Sequence, residues 1–181
     1  MELPDWVCQL LAGRNSCADD TEKMGLAIEL ASLNVRHGSG GPFGAAIFNR
    51  DSGELLSVGV NMVTTARNSV LHAEMVAIML GESLVGSYTL SHGGRFELFT
   101  SCAPCAMCLG GILWSGIGRI VSAAEAEDAR RIGFDEGPVF DLSYRYLEER
   151  GIAVVRSFMR NEGRTVLDAY AESGGTIYNR I

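Results

Sequence analysis

The chain has 181 residues, 47% of them hydrophobic and 20% charged, a balance that suits one soluble domain with a full core. Its net charge is −7, Lys23 is its one lysine and Arg130-Arg131 its one adjacent basic pair, so the positive face of a protein that grips RNA phosphates is not expected. No apolar run reaches membrane-spanning length, the N-terminus lacks a signal peptide's basic region, and five cysteines, an odd number, suit reduced thiols in the cytoplasm.

Residues 1–18 read as a leader segment with a short helical piece around Trp6, Val7, Leu10 and Leu11. Asp19, Asp20 and Thr21 supply N-cap chemistry for a helix whose apolar face is Met24, Ala27, Ile28, Ala31 and Val35. The cluster Gly38-Ser39-Gly40-Gly41-Pro42 ends it. Phe43 to Asn49 then reads as a buried strand, Asp51-Ser52-Gly53 as a turn, and Leu55 to Val60 as the hairpin partner. A polar loop through Arg67 leads to an apolar helix opened by His72.

Phe96 to Thr100 is the next predicted strand and runs into a second apolar helix opened by Pro104-Cys105. Arg119 to Ala123 is a strand, followed by an acidic helical piece that Gly133 to Pro138 breaks. An amphipathic segment (Val139, Leu142, Tyr146, Leu147), a strand from Ile152 to Val155, a helix from Arg164 to Ala171 and a tail over 174–181 complete the chain. A hairpin followed by helix-linked strands implies a mixed five-stranded sheet with helices on both faces, a three-layer α/β/α sandwich. The helical connection between the last two strands favours a parallel pair.

Two motifs carry chemistry. His72-Ala73-Glu74 and Pro104-Cys105-Ala106-Met107-Cys108 each open an apolar helix. Either alone is weak, since a lone C-x-x-C is as readily a redox pair or a structural zinc knuckle. Together, His72, Cys105 and Cys108 would give a tetrahedral zinc three soft ligands and leave one position open, the catalytic pattern rather than the structural one. The positive ends of the two helices favour thiolates there. Glu74 is placed to point into the same pocket without ligating, and to carry a proton from water to a leaving amine.

H-x-E followed by P-C-x-x-C is the signature of the zinc nucleobase deaminases, and the sequence resembles the cytidine-deaminase-like superfamily. Gly41-Pro42-Phe43-Gly44-Ala45, the Ile132-Gly133-Phe134-Asp135 segment with its Glu136-Gly137-Pro138 ending, and Gly175-Thr176-Ile177-Tyr178-Asn179 are similar to the bacterial guanine-type branch that also accepts aminotriazines such as ammeline. The resemblance covers about residues 20–180. It implies one zinc per chain, Glu136 as a second acid, a tail that closes over its own or a partner's site, and a homodimer formed partly through Met107, Ile112 and Trp114. Asn61, Phe43, Ala73, Trp114 and Tyr178 are the candidates for contact with the base. The residue before Pro104, commonly glutamate in these families, is Ala103 here.

The expected reaction is hydrolytic deamination of a guanine-like base. Nucleoside or cytosine deamination, tRNA adenosine deamination, and a non-catalytic zinc-stabilised binding module are the alternatives. Individual residues keep plainer readings too: Phe43 as core, Asp135 and Glu136 as a solvated turn, Trp114 as core, Cys102 as a strand-end packing residue.

Overall fold

The computed structural model describes residues 2–179. One sheet of five strands, β1 (Gly44–Asn49), β2 (Leu55–Val60), β3 (Phe96–Cys102), β4 (Arg119–Ala124) and β5 (Ala153–Val155), runs in the order β2-β1-β3-β4-β5. β1 lies antiparallel to β2 and β3, and β3, β4 and β5 are parallel, the mixed arrangement expected of a hairpin followed by helical crossovers.

Strand residues alternate between the two faces. Ala45, Ile47, Leu98 and Ile120 form one core with helices α4 (Ala73–Val85), α5 (Ala106–Ser115) and α7 (Asp141–Glu149). Ala46, Phe48, Phe99 and Val121 form the other with α2 (Asp20–Arg36). Helix α8 (Arg160–Glu172) joins this second layer through Leu167 and Tyr170, which meet Ala124 and Cys102. Short helices α3 (Val63–Ala66) and α6 (Ala126–Arg131) lie in the connections. Asp19 caps α2 by accepting a hydrogen bond from the Glu22 N–H at 2.9 Å, as its residue type predicts.

Three elements differ from the sequence reading. The short helical piece expected within residues 1–18 is present as α1 (Asp5–Leu11), and what differs from a leader is its packing: Val7 is fully buried in the second core and Trp6 stacks on His37. Helix α2 buries Met24, Ala27 and Ala31 of the expected face, with Ile28 and Val35 half-buried, and its buried face is wider than expected, taking in Lys23, Leu26, Leu30 and Asn34. Lys23 is tolerated there because Glu97 of β3 pairs with it at 2.7 Å and the rings of Phe48 and Phe99 flank the ammonium. In α7 the inward residues are Tyr144 and Leu147, a helical i, i+3 pair, whereas Leu142 and Tyr146 face solvent.

The topology gathers one end of the sheet for use. β1 begins there, while β2, β3 and β4 end there, and helices α4 and α5 start beside it. Ligands of such sheets bind at the carboxyl ends of the parallel strands.

Candidate active site

His72 and Cys105 are the N-cap residues of α4 and α5, each with extended backbone (ψ 157° and 172°) that turns its side chain inward. Helix geometry brings Cys108 onto the same side as Cys105 one turn later. His72 Nδ1 lies 3.5 Å from Cys105 Sγ and 3.7 Å from Cys108 Sγ, and the sulfurs are 3.5 Å apart. A tetrahedral zinc with ordinary bond lengths would set such edges at about 3.6 Å (N to S) and about 3.8 Å (S to S). The three donors therefore fit the ion, and their chemistry is that of zinc.

Charge points the same way. The contact with Cys108 and the nearby His72 push the Cys105 pKa down to about 4, while the same contact, burial and the Glu74 carboxylate raise Cys108 well above the usual thiol range. Two thiolates side by side require a cation to ionise together.

Two buried carboxyls border the trio. Glu74 accepts a hydrogen bond from Thr100 Oγ1 at 3.0 Å through Oε1, and its Oε2 lies 3.5 Å from Cys108 Sγ. Burial, then the Cys105 charge, raises its pKa. Glu136 comes from the loop after α6, which is tied to α5 by the Ala106 N–H donating to the Glu136 carbonyl at 3.0 Å. Burial, followed by the charges of Cys105 and Glu74, pushes Glu136 up to about 8.

A narrow pocket with about 20 Å³ of free volume opens over this centre. His72, Glu74, Cys105, Asp135 and Glu136 line it with Phe43, Ala103 and Phe134. Tyr178 and Asn179 of the tail complete the lining. Phe134 meets Phe43 edge-on at 5.1 Å and Tyr178 at 4.9 Å, so the three aromatic rings of the pocket form one cluster. A relative of this motif set at 40% identity, a guanine deaminase from Bacillus subtilis, matches over 126 residues, 70% of this chain and 78% of that protein. A family model described as the cytidine and deoxycytidylate deaminase zinc-binding region matches residues 18–124.

The chain belongs to this deaminase family. Guanine deaminase from Nitrosomonas europaea has the same fold (TM-score 0.87, 37% identity, 94% of each chain covered). A structure solved in complex with 2,6-diaminopurine superimposes with a TM-score of 0.89 at 38% identity, covering 99% of this chain and 95% of that one.

Within the deaminase, Phe43, Glu74, Glu136 and Tyr178 reach the cavity with His72 and Cys105, Cys108 lies buried beneath them, and three expected contacts, Ala73, Trp114 and Asn61, do not line it. Ala73, the first residue of α4, turns into the core with its carbonyl beside Gly59. Trp114 is 78% exposed, because on α5 it lies two residues, about 200° of helix, from the inward-facing Ile112. Asn61 is fully buried behind Phe43, whose carbonyl accepts its backbone N–H at 3.1 Å; its Oδ1 accepts from the Val63 N–H, and its Nδ2 has no partner.

Sequence reasoning missed Thr100, Phe134 as a wall, Asn34 and Asn179. Asn34 Nδ2 donates to the carbonyls of both Gly41 and Asn61 at 2.8 Å and so ties α2 to two loops of the site. Close approach explains the glycines opposite it: a Cβ on Gly40 would lie 1.8 Å from the Asn61 carbonyl, and one on Gly41 2.0 Å from the Tyr178 hydroxyl. No helix among the described residues is long and apolar enough to cross a membrane.

Proposed function

We propose that this deaminase hydrolyses the exocyclic amine of a guanine-like purine base, releasing ammonia and the oxo base, with aminotriazines such as ammeline as further substrates. The observation that carries the reading is the aromatic lining over the metal trio. The chain's own Tyr178 and Asn179 share the pocket with Phe43, Phe134 and two buried carboxyls. These are the apolar and polar surfaces that a heteroaromatic base would meet once the tail shifts to admit it. A tRNA anticodon would have to displace that tail, and a chain of net charge −7 offers little to hold its phosphates. Identities of 37–40% to guanine deaminases that cover most of both chains support the same choice.

His72, Cys105 and Cys108 hold one zinc, which when bound supplies the Lewis acidity that makes water nucleophilic near neutral pH. Glu74 moves the protons. Its Oε1 is pinned by Thr100, so Oε2 takes one proton from the attacking water and passes it to the ring nitrogen. It then takes the second, from the hydroxyl added to the ring carbon, and passes it to the amine, which leaves as ammonia. Glu136, held largely protonated by burial, is the second acid on the same side of the pocket. Phe43 and Phe134 stack or edge against the base, and the partnerless Tyr178 hydroxyl supplies a polar contact to it. Asp135, also in the lining, accepts from the Gly137 N–H at 2.8 Å and shapes the loop that carries Glu136.

The protein works in the cytoplasm, where its free cysteines stay reduced, as a homodimer through the side of α4 and α5 that exposes Met79 and Trp114. An ammonia-release screen over guanine, ammeline, adenine, cytosine, cytidine and guanosine tests the reading. Guanine or ammeline should lead, and Glu74→Ala should keep zinc while losing roughly 10²–10⁴-fold of turnover. Turnover of nucleosides alone would refute the free-base reading.

A further inference from the structure

The tail does more than line the pocket. Its Asn179 has a left-handed backbone (φ +58°), a conformation asparagine tolerates better than most residues, and this turn directs the side chain back into the molecule. The Asn179 amide comes within 2.8 Å of His72 Nε2, across 107 positions of sequence. The other nitrogen of the same ring, Nδ1, is the one that faces Cys105 and Cys108. Tyr178, just before it, meets the His72 ring edge-on at 6.4 Å, and the Tyr170 hydroxyl donates to the Thr176 carbonyl at 2.7 Å to anchor the strap.

We propose that Asn179 is a positioning residue for the metal ligand His72, so that seating the tail and retaining zinc reinforce each other. A neutral imidazole that coordinates through Nδ1 carries its proton on Nε2 and needs an acceptor there. The partners of metal-bound histidines commonly fill this place with a carboxylate or carbonyl oxygen, and their loss weakens the site. An amide does so by turning over: Oδ1 accepts from Nε2–H when the metal is on Nδ1, and Nδ2 donates to a bare Nε2 when it is not. Asparagine thus holds the ring in either tautomer without moving the backbone. The coupling is mutual by linkage, since a contact that steadies the ring for zinc is steadied by zinc in return. The inference rests on the metal trio and not on which base the pocket accepts.

Zinc competition against a chromogenic chelator on the full-length protein tests it without substrate. Asn179→Leu should weaken zinc retention about 10-fold, and Asn179→Asp, which keeps an acceptor, should restore it to near the wild-type value. The visible bands of the cobalt-substituted protein should shift in Asn179→Leu, as a reoriented imidazole requires. Zinc should also slow amide exchange over residues 174–179 in the wild type and not in Asn179→Leu. Wild-type zinc retention and an unchanged cobalt spectrum in Asn179→Leu would overturn the proposal. So would equal losses in the Leu and Asp variants, or tail exchange that ignores zinc in the wild type.

Discussion

Thr100 Oγ1 donates to Glu74 Oε1 at 3.0 Å, inside a region closed to solvent on every side but the pocket. Thr100 lies near the end of β3 and Glu74 in the first turn of α4, so the bond fixes a helix carboxylate against the rigid sheet. One oxygen is thereby occupied and the other left to carry protons. Thr100→Val keeps the shape of the residue and removes the donor. The expected outcome is full zinc content and a kcat lowered about 10-fold, the worth of one hydrogen bond to a charged group. Steady-state kinetics beside metal analysis check it; an unchanged kcat would mean that Glu74 is held by its helix alone.

Metal content gives the second prediction. Edges of 3.5–3.7 Å among His72, Cys105 and Cys108 leave the cluster one cation short of neutrality. The protein should bind one zinc per chain, and Cys105→Ala should lose metal and activity together. Chelator treatment followed by zinc should restore activity, while cadmium should bind and restore much less. Active protein free of zinc would end the metal reading.

How far this arrangement could be read from sequence depends on how local the signal was. His72, Glu74, Cys105 and Cys108 were legible because short spacing on two helix starts fixes their relative direction before any tertiary contact forms. Phe134, Tyr178 and Asn179 converge from a loop and a tail, where no periodicity says which way a side chain points. Trp114 was misplaced for the opposite reason. An apolar residue in an apolar helix reads as inward, and only the phase set by Cys108 and Ile112 turns it out. Lys23 shows a third limit: its burial depends on Glu97, 74 residues away, which no local pattern could pair with it.

The third prediction concerns the rim. The Gly41 position lies against the Tyr178 ring, and a Cβ there would come within 2.0 Å of the hydroxyl. Gly41→Ala should therefore push Tyr178 off its seat while leaving the sheet and metal trio intact. KM for the base should rise several-fold with zinc content unchanged, and residues 174–179 should exchange amide protons faster. An unchanged KM would show that Tyr178 lies outside the working pocket.

Oligomeric state is the fourth. Met79 and Trp114 are exposed on α4 and α5, and Ile112, expected among the interface residues, is spent entirely on this chain's own core. Trp114→Arg should then convert a dimer to a monomer in light scattering at micromolar concentration, with little change in folding. Ile112→Ala should instead destabilise the fold by about 2–5 kcal/mol, as large-to-small core changes do. A wild-type monomer would refute the dimer.

The last prediction separates the two carboxyls. Glu136 is buried beside Glu74, and its pKa is raised to about 8 by that burial first and by the Cys105 and Glu74 charges next. A cation at the thiolates offsets the Cys105 part, so in the zinc-loaded enzyme the value falls between the ordinary carboxylate range and about 8. An acid works while it holds its proton, so the Glu136 contribution is present below that pKa and fades as pH rises through it. The wild-type kcat should accordingly fall as pH rises through that range, below about pH 8. Glu136→Gln keeps the size of the side chain and its hydrogen-bonding amide but cannot donate a proton as an acid. It should retain zinc and substrate binding, lower kcat by at least 10-fold at pH 7, and flatten that alkaline limb. The plainer reading of Glu136 as a turn residue predicts wild-type rates and an unchanged profile. Guanine kinetics across pH on this one variant decide between them.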